Sequence, residues 1–200
     1  MDLFTAIEAR RAIKHYSSTE AVSEADFERI MNAVLLSPTS YNIQHWRFVR
    51  VTDPQQRINI QDAAWGQTQI TEAAELIILC ADTQAWSDNP QRYWANTSAE
   101  VQAVMLPMLE SFYQGKEQLQ RDEALRSSGM AAQTLMLAAK ALGYDSCPMI
   151  GFDSEQVADI INLPPGHLIS MVITVGKAAK PANPRAGQLS LSEVLIENRF

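Results

Sequence analysis

Apolar residues recur at helical spacing over several stretches of the chain. The predicted helical ranges are 3 to about 9–11, 23–37, 54–75 (one helix or two), 97–113, 121–142 and 153–161. Ser23 precedes acidic residues as a helix N-cap would, and Pro38 ends the second range. Gly143 follows the fifth range, where a glycine cap is expected. The pattern therefore predicts a chain rich in helices with recognisable ends.

Shorter apolar stretches predict β-strands. Residues 46–51 alternate in the manner of a strand with one covered face, whereas residues 76–81 are continuously apolar. The second pattern is typical of a strand covered on both faces, so we expect 76–81 in the middle of a sheet. Residues 167–175 form a further apolar stretch of strand length, which ends at Gly176.

Two segments are too apolar to face water. Residues 129–139 are apolar nearly all round and contain many small side chains, which predicts a core helix approached closely from several sides. The tail over 177–200 opens with two prolines and then carries apolar residues at Leu189, Leu191, Val194, Leu195 and Ile196. We expect this tail to pack on its own domain or on a partner subunit.

Composition favours a single domain over 1–200. Apolar residues make up 46% and charged residues 20%, as in ordinary globular proteins, and no repeat or low-complexity linker divides the chain. The net charge of -7 is spread without a long charged run, which argues against a nucleic-acid surface or a polybasic membrane anchor. We expect small molecules or protein as partners, with no nucleic acid and no membrane.

The first residues and the cysteines bear on location. Asp2 brings a charge, no signal-like apolar region follows it, and no segment reaches about 18 uninterrupted apolar residues. We therefore expect a protein that is neither exported nor membrane-spanning, with a cytoplasmic location. Cys80 and Cys147 occur without a C-x-x-C pattern, and we expect both to be reduced, buried thiols.

Three stretches concentrate polar groups at joints between apolar elements, namely 10–14, 37–46 and 147–152. The first holds two arginines and a lysine, which suit a phosphate group and a nearby electron-rich carbonyl. Taken alone, such a basic cluster is more often solvated surface. The second places serine, threonine, asparagine and glutamine in a loop where amides can bond the edge of a heterocycle. Taken alone, it is more often an ordinary helix-to-strand connection.

Several other classes of site are excluded by the residues present. His15, His45 and His167 show no metal-ligand spacing with one another or with carboxylates, so no metal is expected. The sequence also lacks G-x-S-x-G, Walker and G-x-G-x-x-G elements, which removes the usual hydrolase, P-loop and Rossmann interpretations.

Aromatic residues are frequent between the helical ranges. We expect most of them in the core or at a subunit interface; they are Tyr41, Trp46, Trp65, Trp86, Tyr93, Trp94, Phe112 and Tyr113. Residues 84–94 are polar and aromatic at once, which makes them a candidate lid over a ligand.

In their order and spacing, these stretches resemble the nitroreductase family of FMN enzymes. That family shows R-R-S-x-R/K near the start, then P-S-x-x-N-x-Q-P-W, then P-x-x-G-F, and a late arginine after a glycine-closed strand. The matching parts are Arg10–Lys14, Pro38–Trp46, Pro148–Phe152 and Arg185, so the resemblance spans nearly the whole chain. It implies an α+β fold with a mostly antiparallel or mixed central sheet flanked by helices, and a homodimer whose C-terminal tail packs on the partner.

The resemblance also implies a set of cofactor-binding residues, with one FMN per subunit at the dimer interface. These residues are Arg10, Arg11, Ala12, Lys14, Pro38, Thr39, Ser40, Asn42, Gln69, Pro148, Met149, Ile150, Gly151 and Arg185. In the family, the early arginines and the late one hold the phosphate and ribityl end. The lysine approaches the N1/O2 edge of the ring, where a cation stabilises the anionic reduced flavin.

The remaining implied contacts concern the flavin ring. Residues 38–42 reach the flavin of the other subunit, and Gln69 falls near a position that bonds the pyrimidine ring. The backbone of 148–151 lies against the ring, with an N–H directed at N5.

The chain departs from the family pattern at four positions. Ala12 replaces a serine that bonds phosphate, and His45 replaces the proline before the tryptophan. Ile150 and Asn183 stand where some members have glutamate and lysine. These departures leave the phosphate affinity and the ring contacts open.

The activity implied by the resemblance is ping-pong hydride transfer from NADH or NADPH, through flavin N5, to a small acceptor such as a nitroaromatic or a quinone. No side chain is required as an acid or base, so no catalytic residue is named. Alternatives on the same scaffold are a reductase of an enal, enone or semialdehyde, a dehalogenase and a flavin-fragmenting enzyme. A non-catalytic flavin-binding regulatory module and a fold that has lost its flavin also stay open.

Overall fold

The structure, a computed structural model, describes residues 1–200. The helices are α1 (Leu3–Ala9), α2 (Glu24–Val34), α3 (Pro54–Ala63), α4 (Gln69–Glu72), α5 (Ala99–Tyr113), α6 (Glu117–Ala141), α7 (Ser154–Ile160) and α8 (Leu191–Val194). The strands are β1 (Trp46–Arg50), β2 (Glu75–Asp82), β3 (Asp145–Met149) and β4 (His167–Gly176). Two 3-10 turns lie at Ser40–Asn42 and Pro90–Trp94.

The strands form one sheet in the order β1-β2-β4-β3, and every neighbouring pair is antiparallel. All residues of β2 are buried, so the expectation that 76–81 forms a central strand is confirmed. The edge strand β3 had no apolar run to predict it. Pro148 interrupts its five residues, and proline is tolerated in a sheet mainly at an edge, where β3 lies.

Helices cover both faces of the sheet. Because successive strand residues point to opposite faces, Ile77 and Leu79 pack with α2 and α6 in one core. Leu76 and Ile78 pack with α3, α4 and α7 in the other core. The sheet is therefore buried between two helical layers.

The helix α6 is the core helix that the small apolar residues predicted. Ala131, Ala132 and Ala139 are buried against the sheet, where small side chains allow close approach. The helix begins at Glu117, four residues before the predicted start at 121. Most side chains over 117–122 are partly or fully exposed and polar, so no apolar spacing marks these first turns.

The chain end lies on the outside of this structure. All residues from Asn183 to Phe200 are exposed, including the short helix α8. Leu189 and Leu191 each keep 71% of their surface exposed. The base of the tail pairs with residues 15–17 of its own domain, whereas the apolar residues from Leu189 onward bury little surface there, which leaves the partner subunit as the remaining expectation for them.

The length and hydropathy of the helices bear on whether they could enter a membrane. None of them combines enough length and enough apolar surface to cross a bilayer.

Candidate active site

The basic stretch runs along the outer edge of β3. The helix α1 ends at Ala9, and the Ile13 N–H then donates to the Ser146 carbonyl oxygen at 3.1 Å. Ala12 and Ser146 form a parallel bridge. Ile13 is only 3% exposed and anchors the stretch, whereas Lys14 on the next position is exposed. Strand-like alternation thus directs the lysine outward.

Several cations gather at this edge without carboxylate partners. They are Arg10, Arg11, Lys14, Lys180 and Arg185, and none of them forms a salt bridge. Burial raises the pKa of the Cys147 thiol, and the Lys14 and Arg10 cations oppose that rise, which places both cations close to β3. Unpaired cations in one place form a region suited to an anion.

The base of the tail is held beside α1. Arg185 Nη2 donates to the carbonyl oxygens of Glu8 at 3.1 Å and Arg10 at 3.2 Å, and Arg11 donates to the carbonyl oxygen of Asn183. A cavity of about 230 Å³ opens here, lined by Ala12, Lys14, His15, Lys180, Pro181, Ala182 and Asn183. The late arginine therefore lies beside the first basic stretch, as the sequence suggested.

The segment that follows β3 exposes its backbone. Ile150 is 80% exposed, and the N–H groups of Ile150 and Gly151 donate to no acceptor in the chain. Gln67 Nε2 donates to the Gly151 carbonyl oxygen at 2.6 Å, and Gln69 Nε2 donates to Gln67 Oε1 at 2.9 Å. Gln69 also contacts the sulfur of Met149 at 3.5 Å. The structure thus brings Gln69 together with the 148–151 segment.

The second stretch lies elsewhere in the chain. Residues 38–42 lead into β1, at the opposite edge of the sheet from β3. Asn42 Nδ2 donates to the Tyr93 carbonyl oxygen at 2.7 Å, and Thr39 Oγ1 accepts from the Gln44 N–H at 3.1 Å. Three strand spacings, roughly 14 Å, separate the outer strands. One chain therefore does not bring 38–42 next to Arg10 and Lys14.

The loop ends in a buried histidine. His45 is 1% exposed, and neither ring nitrogen has a hydrogen-bond partner in the chain. Burial lowers its pKa to about 4, although Glu123 and Asp82 act in the opposite direction and Arg47 lowers it further. His45 is therefore neutral at pH 7.

Some residues of the site were not singled out by the sequence. Gln67 bridges Gln69 and Gly151, and Lys180 adds a cation to the cavity. Trp65, which the sequence grouped with the aromatic residues of the core or of a subunit interface, is 72% exposed and borders Gly151. The sequence could have indicated two of these residues, because Gln67 lies two positions from Gln69 and Lys180 lies five positions before Arg185.

This fold agrees with what known proteins show. The model of the Nitroreductase family matches residues 7–177, so the chain belongs to that family. It is 47% identical over 182 residues to Protein DrgA of Synechocystis sp., which covers 91% of this chain and 87% of that protein. It is 30% identical to a NADH dehydrogenase of Thermus thermophilus, over 98% of this chain and 96% of the relative.

The fold also matches a solved structure. A protein of Exiguobacterium sibiricum, crystallised in complex with FMN, superposes with a TM-score of 0.90 at 23% identity. The match covers 98% of this chain and 97% of that one. The α+β fold with an antiparallel sheet flanked by helices, expected from the resemblance, is confirmed.

Proposed function

We propose that this protein is an FMN-dependent oxidoreductase that takes electrons from NADH or NADPH and passes them to a small acceptor such as a nitroaromatic or a quinone. The proposal is carried by the group of unpaired cations along the outer edge of β3, a strand that is followed directly by the free N–H groups of Ile150 and Gly151. These donors suit a phosphate at one end and a heterocycle edge at the other. The FMN in the Exiguobacterium structure and the name of the Thermus relative support the same chemistry.

The phosphate end would be held by the arginines. The Arg10 guanidinium makes no hydrogen bond within the chain, and Arg11 and Arg185 spend only part of their five N–H donors on backbone carbonyls. Charge-assisted bonds from guanidinium to phosphate are among the stronger hydrogen bonds in proteins. Three such cations compensate for the hydroxyl that Ala12 does not provide.

The ring end would lie against the segment after β3. The N–H groups of Ile150 and Gly151 can donate to ring nitrogen or oxygen, and Gln69 Oε1 accepts no bond within the chain. FMN, when bound, supplies a carrier that accepts hydride from the nicotinamide. Lys14 would place a positive charge at the carbonyl edge and so favour the added negative charge.

A second copy of the chain would complete the site. Residues 38–42 lie at the sheet edge opposite the basic stretch, so their polar groups serve the same FMN only across a subunit interface. The chain also has several exposed apolar surfaces, among them the tail and the face of α1. On α1, Leu3 is 59% and Phe4 is 75% exposed. We therefore propose a homodimer in which the tail packs on the partner.

An absorbance experiment tests the proposed function. The purified protein, incubated with FMN and desalted, is expected to retain a flavin spectrum that NADPH or NADH bleaches in the absence of oxygen. A nitroaromatic or a quinone should then restore the spectrum. Retained flavin without bleaching would identify a non-catalytic flavin-binding module, and a protein that stays colourless would contradict the proposal.

Product analysis separates the related enzymes. Parallel anaerobic reactions with a nitroaromatic, a quinone, an enone and a halogenated aromatic compound, each with the same amount of NADPH, are compared by their products. We expect the first two to be reduced fastest. Exclusive reduction of the enone, or release of halide, would assign the chain to an alternative activity on the same scaffold.

A further inference from the structure

Trp65 lies directly beside the segment that follows β3. Its side chain is 72% exposed. A Cβ atom added to Gly151 would lie 3.5 Å from Cζ3 of the indole, so the six-membered ring faces the open side of this glycine. The neighbouring Ile150 is 80% exposed. The large apolar side chains of Trp65 and Ile150 are thus exposed to solvent near the free N–H groups of residues 150 and 151.

The backbone at this tryptophan is strained. Trp65 has a φ of 56°, and Gly66 follows with a φ of 77°. The left-handed region is easy for glycine but costly for a bulky residue. The turn is closed by backbone bonds from Trp65 N to Asp62 O at 3.1 Å and from Gly66 N to Gln61 O at 2.9 Å. These bonds do not depend on the indole.

Folding does not account for such a residue. A mostly exposed indole buries little apolar surface, and its backbone conformation costs free energy that glycine or asparagine would avoid. Strained residues that persist in this way cluster at ligand sites. The role of the indole is therefore to contact a molecule that binds beside Gly151.

We propose that Trp65 determines acceptor specificity, by stacking its indole on planar, electron-poor aromatic acceptors. This inference rests on the proposed function and names the substrate class of the same site. The indole face is rich in π electrons, whereas nitro and carbonyl groups withdraw electrons from an aromatic ring, so offset stacking of the two is favourable. Ile150 adds apolar contact, and a compact non-aromatic acceptor gains little from either side chain.

Kinetics of Trp65 variants test the inference. For a nitroaromatic, Trp65→Ala is expected to raise KM about tenfold, with little change in kcat, because a stacking contact to bound acceptor is lost. Ferricyanide, which is not aromatic, should be reduced as by the wild type. Trp65→Phe keeps an aromatic face and should keep most of the affinity. Ile58→Ala, at an exposed apolar residue of α3 outside the site, is the control.

Two further measurements do not depend on turnover. Oxidised, FMN-loaded protein is titrated with dinitrobenzene without NADPH, and the quenching of tryptophan fluorescence is compared between the wild type and Trp65→Phe. The wild type should show an additional saturable component. Trp65→Gly should raise the melting temperature, because it relieves the left-handed strain, while it weakens acceptor binding as Trp65→Ala does.

The outcomes separate this inference from the proposed function. If the wild type holds FMN and NADPH bleaches it, but Trp65→Ala treats both acceptors as the wild type does, the function stands and the inference is wrong. Loss of flavin or of the dimer in Trp65→Ala, seen by absorbance and size-exclusion chromatography, would assign the indole to the cofactor or the subunit interface and overturn it. A wild type that binds no FMN contradicts both proposals.

Discussion

Arg10 is the arginine of the candidate site whose side chain forms no hydrogen bond within the chain, whereas Arg11 and Arg185 both donate to backbone carbonyls. We expect Arg10→Ala to weaken FMN binding by about tenfold or more, because a charge-assisted bond to phosphate is lost. The fold should not change, since no hydrogen bond or salt bridge of the chain depends on the guanidinium. Bound flavin per subunit after equilibrium dialysis measures the effect. Arg29→Ala, at an exposed arginine of α2, makes the same charge change elsewhere and should retain the cofactor.

His45 makes stability depend on pH in a predictable window. Its pKa is about 4 in the folded protein because of burial, against about 6.5 in an unfolded chain. Below about pH 6.5 the unfolded state therefore binds a proton that the folded state does not. The free energy of unfolding consequently decreases as the pH falls from 6.5 towards 4. The difference amounts to about 3 kcal/mol at most.

A neutral replacement isolates this contribution. Glu123, Asp82 and Arg47 face His45 and are present in both the wild type and the variant, so a comparison of the two proteins isolates the contribution of the imidazole. Urea denaturation at pH 7, 6, 5 and 4 is compared between the wild type and His45→Gln. The wild type should lose more stability than the variant between pH 6.5 and 4. Parallel curves for the two proteins would show that His45 does not titrate in this way.

At single positions, the sequence could predict residue types but not their surroundings. Arginine, lysine and glycine at 10–14 and 151 carry chemistry that can be named without a structure. The unpaired ring nitrogens of His45 and the left-handed backbone of Trp65 are different. The first depends on which distant segments pack around the ring. The second lies in a turn closed by local backbone bonds, but tryptophan is not a residue type that signals a left-handed conformation.

Among the elements, one arginine joins three of them. Arg50 on β1 donates from Nε to Glu75 Oε2 of β2 at 2.7 Å, and from Nη1 to Glu24 Oε2 of α2 at 2.8 Å. Its guanidinium also lies 3.8 Å from the centre of the Phe27 ring. Glu75 is only 5% exposed, so its carboxylate depends on this partner.

We expect Arg50→Ala to lower the free energy of unfolding by about 3 kcal/mol, because it leaves a buried carboxylate without its partner. Glu24→Gln removes only the exposed end of the network and should have a much smaller effect. The double change Arg50→Met with Glu75→Leu should recover most of the loss, since no buried charge remains. Urea denaturation of the three variants at pH 7 measures this. A loss in Glu24→Gln equal to that in Arg50→Ala would contradict the argument.

An element can be predicted from the sequence when its apolar residues form a continuous run or follow a clear period and its ends carry capping signals. The buried strand β2 and the helix α2 carry continuous or periodic apolar residues together with a capping signal, and their predicted cores are confirmed. The strand β3 is held by its pairing with β4 across 27 residues of sequence, from Cys147 to Thr174. Its own five residues contain a proline and resemble a loop. Tertiary pairing, which local propensity cannot express, decides such an element.

For the whole molecule, the order of the strands places two of the FMN-binding motifs at opposite edges of the sheet. The residues that resemble FMN-binding motifs lie at both outer strands of one chain. They therefore do not lie close together within a single subunit. The sequence predicted that the tail packs on something, and the structure leaves the apolar residues from Leu189 onward exposed on their own domain. Both observations support the proposed homodimer, in which two chains complete each other's sites.

The apolar tail supplies the test of that pairing. Leu191 and Leu195 are 71% and 59% exposed, and a charge at either position would be buried against a partner at a high cost. The double change Leu191→Asp with Leu195→Asp should therefore yield monomers in analytical ultracentrifugation and reduce bound FMN together with the dimer. Ser192→Asp adds a charge to the same helix without removing an apolar contact and should remain dimeric. If the double variant keeps both its dimer and its flavin, the tail does not hold the subunits together, and the divided site must be joined through another surface.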